Sequence, residues 1–182
     1  MKWTTKNMAL CAVLAALALG LSTLESLFPV TAVVPVPGVK LGLANIVTVF
    51  ALYRLGAPEA LAILLVRCAL GGLFAGNVSA LLFSTLGGLC AMGVMILLRR
   101  WRRLSVYGVS IGGAAAHNIG QMAAAVITLG STMVLGYLPF LLAVSLFTGT
   151  LTGFVTALLL RPVFRRLEQP KDDPKKDGTD AS

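Results

Sequence analysis

A chain of 182 residues with 57% hydrophobic and only 12% charged side chains lacks the polar surface of a soluble domain, whose charged share is about 25%. Its mean hydropathy of +0.89 places it in a bilayer, where about 20 residues make one helical span, so the length allows five or six spans and leaves no room for a soluble catalytic domain. The net charge of +8 does not mark a nucleic-acid binder, because the basic residues stand at span ends rather than along one polar face.

Lys2 and Lys6 precede an apolar run from about Met8 to Phe28. Further apolar runs follow it, with no A-x-A site opening onto a soluble domain, so it reads as a first transmembrane helix and not as a cleaved signal. Along it Ala12, Ala16 and Gly20 recur at i, i+4 and i+8, a groove of small residues suited to close approach by another helix. That helix is either a neighbour in the bundle or part of a different membrane subunit. Glu25 sits near the outer end, either solvated at the interface or part of a site. Pro29, Pro35 and the Pro37-Gly38 turn signal predict an extended or hairpin-like external loop from Pro29 to Lys40, which could act as a lid.

The second span, Leu41 to about Tyr53, is short and carries Asn45 in its outer half. Arg54 ends it, and Gly56-Ala57-Pro58 makes a tight connection with Pro58 placed to begin the next helix. The third span, about Pro58 to Phe74, holds Arg67 near its middle. An arginine there costs at least ~2.5 kcal/mol and needs a partner, structural or ligand. The fourth span runs from about Val78 to Leu98, with Ser84, Gly87 and Gly88 on close-packing faces, and Arg99-Arg100-Trp101-Arg102-Arg103 stops it as a positive loop with an interfacial tryptophan. The fifth runs from about Ser105 to Leu129 and the sixth from about Tyr137 to Leu160, where Ser145, Gly149, Thr152 and Thr156 form a small, weakly polar stripe. Residues 1–166 are thus expected to form one all-α bundle of six transmembrane helices, and 167–182 a disordered polar tail.

The fifth span contains the most telling stretch, Ala114-Ala115-Ala116-His117-Asn118-Ile119-Gly120-Gln121. His117 and Gln121 are spaced i,i+4 and Asn118 and Gln121 i,i+3, so the chain's one histidine and two carboxamides share a broad face. Polar groups in a span point to the bundle interior or to a watery cavity and read by default as functional. Cys11, Cys68 and Cys90 lie in apolar runs without CxxC spacing, so packing is expected of them and neither a disulfide framework nor a metal site.

With an even number of spans, the N-terminus, the Arg54 loop, the Arg99 to Arg103 loop and the C-terminus share one side, and the excess of Lys and Arg puts both termini in the cytoplasm of a multi-pass cell-membrane protein. Glu25, Lys40 and Asn45 then lie near the external surface. Arg67, His117, Asn118 and Gln121 lie from the midplane outward, so these groups could line one pocket opening outside.

Pro37-Gly38-Val39-Lys40-Leu41-Gly42-Leu43-Ala44-Asn45-Ile46-Val47, Arg67-x-x-x-Gly71-Gly72 and Ala116-His117-Asn118-Ile119-Gly120-Gln121 resemble the Gx transporter family, also labelled heptaprenyl diphosphate synthase component I, over about Met8 to Leu160. More distantly, six spans in this length resemble the substrate-binding S components of energy-coupling-factor vitamin transporters. The resemblance implies a substrate in the outer half and a small-residue motif on the first helix, here Ala12 and Ala16, that meets a transmembrane coupling subunit.

Three functions are compatible with these features. The leading one is a substrate-binding subunit that captures a small molecule outside and relies on separate cytoplasmic ATPases, since the chain has no GxxxxGKS/T phosphate loop. The alternative is a non-catalytic membrane partner of a prenyl diphosphate synthase or quinone-synthesis complex. A self-sufficient carrier is disfavoured by the lack of an inverted repeat. Catalysis by the chain itself is not expected: prenyl elongation needs acidic residues to hold magnesium on a diphosphate, and the sole Asp-Asp pair, Asp172-Asp173, lies in the polar tail. No cofactor is expected. Arg67, Lys40 and His117 suit an anionic or heteroaromatic substrate such as a vitamin, a flavin or an isoprenoid precursor, oriented by the amides of Asn45, Asn118 and Gln121.

Overall fold

The computed structural model describes residues 4–26, 42–101 and 103–168, with 26 and 162–168 described by their backbone alone. These residues are all-α: α1 (Thr5–Ser26), α2 (Asn45–Arg54), α3 (Ala57–Ala75), α4 (Val78–Arg100), α5 (Val106–Leu129), a 3-10 turn (Thr132–Tyr137) and α6 (Leu138–Glu168). The expected loop from Pro29 to Lys40, and Lys40 with it, lies outside the described residues.

Local chemistry sets the boundaries. Asn77 caps α4 by accepting a hydrogen bond from the Ser79 N–H at 2.8 Å, and Ser105 caps α5 by accepting one from Gly108. Pro58 stands in the first turn of α3, as its sequence position predicts. Gly76 and Gly130 end α3 and α5 in the left-handed conformation that a side chain would disfavour. Two boundaries differ from the sequence reading. The second helix starts at Asn45 and not at Leu41, because Gly42 takes φ +87° and the chain turns through Leu43 and Ala44 before it can coil. Leu167 and Glu168, expected in the tail, close α6 instead, since residues 163–168 contain no glycine or proline to stop it.

Among the described residues four helices are long and apolar enough to cross a membrane: α1, α3, α4 and the stretch Thr132–Arg161 that includes most of α6. The 10 residues of α2 rise only about 15 Å, half of a bilayer core. At 24 residues α5 is long enough, but His117, Asn118 and Gln121 dilute its apolar run. Leu73, Phe74, Val78 and Phe147 are exposed on the outside of the bundle, a surface that suits lipid.

The short helix is the hub. α5 packs between α4 and α6, and α3 between α1 and α4, while α2 touches all five of the others. Its apolar side chains Val49, Ala51 and Leu52 are buried with Ile63, Leu64, Met92 and Met95 in the main core. At its C-terminus Arg99 donates to the Leu52 carbonyl and lies 5.1 Å from the Tyr53 ring centroid, a cation placed on the negative end of the helix.

Backbones meet closely where glycine permits. A Cβ on Gly120 of α5 would lie 2.6 Å from the Leu86 carbonyl oxygen of α4, and one on Gly149 of α6 would lie 2.6 Å from the Ile111 Cα of α5. The groove on α1 is different. Ala12, Ala16 and Gly20 are exposed, and a Cβ on Gly20 would meet nothing within 4 Å, so this stripe is not used inside the described bundle.

Candidate functional site

The polar groups gather above the N-terminal end of α2. Glu25, in the last turn of α1, is 2% exposed and accepts a hydrogen bond from the Gly42 N–H, tying the end of α1 to the approach to α2. Arg67 on α3 is 6% exposed, and its Nη2 donates to Asn45 Oδ1 of α2 at 3.5 Å, the long limit of a hydrogen bond. From α5, His117 and Gln121 reach the same place, both buried. Glu25, Arg67, His117 and Gln121 line one cavity of about 10 Å³, room for a single water.

Glycines shape the slot that receives the imidazole. A Cβ on Gly87 of α4 would lie 2.9 Å from His117 Cε1, and one on Gly42 would lie 3.3 Å from His117 Cδ2 on the other side. A side chain at position 87 would force the ring to shift.

Hydrogen-bond demand around Arg67 exceeds the supply. Neither Arg67 Nε nor Asn45 Nδ2 has an acceptor among the described residues, although both are buried. Leaving a buried donor unpaired costs about 1–3 kcal/mol, more for a charged group. The acceptor oxygens that line the cavity do not reach these two donors. The donor set suits a carboxylate or phosphate.

The expected site residues separate into two groups. Glu25, Asn45, Arg67, His117 and Gln121 come together as described. Asn118 lies on the other flank of α5, where its amide donates at 2.8 Å to the Leu141 carbonyl of α6, and it is not among the residues lining the cavity. Ser22 and Ser84 line the cavity without having been expected there. Ser22 carried a usable signal, since it precedes Glu25 by three residues and shares its face. Ser84 reads from sequence as a packing residue. Among the described residues no group of three or more His, Cys, Asp or Glu side chains could hold a metal ion.

Residues 14–159 match a family model described as heptaprenyl diphosphate synthase component I. No curated protein and no solved structure matches the chain.

Proposed function

The chain belongs to the heptaprenyl diphosphate synthase component I family, and from that premise we propose that it is a substrate-binding membrane subunit for uptake of a small molecule. The observation that carries this reading is Arg67: a buried guanidinium with one long bond to Asn45, an Nε lacking an acceptor, and four helices converging on it. A scaffold gains nothing from such a group, because breaking or half-satisfying a buried charge destabilises the fold. A site for a ligand does gain, since incoming oxygens complete the donor set. The substrate is of the size and polarity of a vitamin, a flavin or an isoprenoid or quinone precursor. A coupling subunit and cytoplasmic ATPases supply the energy, and the chain itself performs no chemistry.

In this reading the chain passes the cell membrane six times, α2 being the short helical part of the second pass, with both termini cytoplasmic. Arg54, Arg99 and Arg100 support that orientation by standing together at one end of the bundle. A cysteine placed at Ser131 is expected to react with an impermeant maleimide in intact cells, and one at Ser105 only after permeabilisation. The reverse pattern overturns the topology.

The family description favours a second reading, a non-catalytic membrane partner of a prenyl diphosphate synthase. Purification from native membranes separates the two: ATPases and a coupling subunit support uptake, and a prenyl synthase supports the other. The exposed stripe sharpens the test. Ala12→Leu and Ala16→Leu add bulk to an outward face, so they are expected to release the coupling subunit while the melting temperature in detergent stays within about 1 °C, since surface changes cost under about 0.5 kcal/mol. An intact complex in both variants means that the stripe faces only lipid.

A further inference from the structure

We infer that Glu25 is a built-in competitor for the substrate's anionic group: in the closed state its carboxylate stands in for a ligand carboxylate or phosphate beside Arg67, and a ligand enters by displacing it. This rests on the reading of the cavity as a substrate site and adds the class of substrate and the means of closure.

Glu25 and Arg67 carry opposite charges and line the same cavity. The cavity, at about 10 Å³, admits a water and no substrate. What keeps it shut is visible. Glu25 accepts the Gly42 N–H, and Gly42, three residues before α2, lines the same cavity so tightly that a Cβ there would meet the Asn45 amide at 3.0 Å and the His117 ring at 3.3 Å. The carboxylate therefore has two roles at once. It places negative charge in the cavity of a buried arginine, and it ties down Gly42, which lines the space a ligand would need.

An anion arriving at Arg67 makes the first role redundant. Its oxygens meet the guanidinium and the Asn45 amide, whose buried donors lack acceptors, and two carboxylates beside one arginine repel each other. Glu25 then leaves, the Gly42 bond is lost, and the start of α2 is free to move and enlarge the cavity. A neutral molecule has no means to displace Glu25. Selectivity for an anion follows from the latch as much as from the arginine.

The test is thermal stabilisation of the full chain in detergent by three probes of matched shape: benzoate, phenyl phosphate and neutral benzamide. Removing the competing charge with Glu25→Gln raises the fraction of protein able to bind, so the midpoint for the anions is expected to fall by about tenfold or more while that for benzamide does not change. Preference between benzoate and phenyl phosphate then distinguishes a carboxylate substrate from a phosphate. Adding Arg67→Gln to Glu25→Gln is expected to abolish the gain. If Glu25→Gln does not accumulate as folded protein, Glu25→Ser serves in its place.

Unchanged or weaker anion binding in the Glu25 variants overturns the inference, as does an equal gain for benzamide, which would mean that the substitution merely opens space. Absence of anion binding in every variant overturns it too. The cavity as a substrate site fails separately, and only if a natural molecule retained by the protein is unaffected by changes to the lining.

Discussion

A valine in place of Gly120 is expected to part α4 from α5 and to leave little folded protein in detergent. The Cβ it introduces would lie 2.6 Å from the Leu86 carbonyl oxygen and 2.9 Å from the Gly87 Cα, and backbone atoms cannot rotate away as a side chain can. The helices must separate along a seam that also contains Gly87, the wall against which His117 rests. Overpacking of a tight core costs about 1–3 kcal/mol where neighbours can shift, and here they belong to the backbone, so the loss is expected at or above the upper figure. Gly93→Val is the control, because a Cβ on Gly93 of α4 meets nothing within 4 Å. Melting followed by circular dichroism should show Gly93→Val close to wild type and Gly120→Val far below it. Equal melting of the two would mean that α4 and α5 do not meet at Gly120.

The reason Gly120 is decisive and Gly93 is not could not be seen in the sequence, where both are glycines in apolar helices. The sequence reveals contrast, not neighbours. His117, Gln121 and Arg67 stand out because polar groups in an apolar run are costly and need partners, and the structure brings all three to one cavity. Asn118 has the same contrast, and its i,i+3 spacing from Gln121 places it only about 60° around the helix. That angle suffices to turn it from the cavity to α6, and only the packing of α6 against α5 decides it. The exposure of Ala12, Ala16 and Gly20 was hidden for a related reason: in lipid, outward and inward faces are both apolar, so periodicity does not tell them apart. The late start of α2 follows from a positive φ at Gly42, which the Gly42-Leu43 pair permits but does not announce. The inner position of α2, touching every other helix, has no sequence signal at all.

Asn118 and Gln121, one turn apart, are expected to fail in different ways when changed to alanine, and this contrast tests the polar cavity as a ligand site most directly. Asn118→Ala removes a hydrogen bond between α5 and the Leu141 carbonyl of α6, which stays paired within its own helix, so it should lower stability by about 0.5–1.5 kcal/mol without touching the cavity. Gln121→Ala alters the cavity lining itself, and its main effect should be on what the cavity holds. The measurement is native mass spectrometry of protein extracted from its own membranes, paired with the melting temperature of the ligand-free form. The expected result is a small molecule retained by the wild type and by Asn118→Ala and lost from Gln121→Ala, with ligand-free melting lowered in both variants. Retention of the same molecules by Gln121→Ala as by the wild type, with both variants differing only in stability, would contradict the assignment and make the whole polar face of α5 a structural seam.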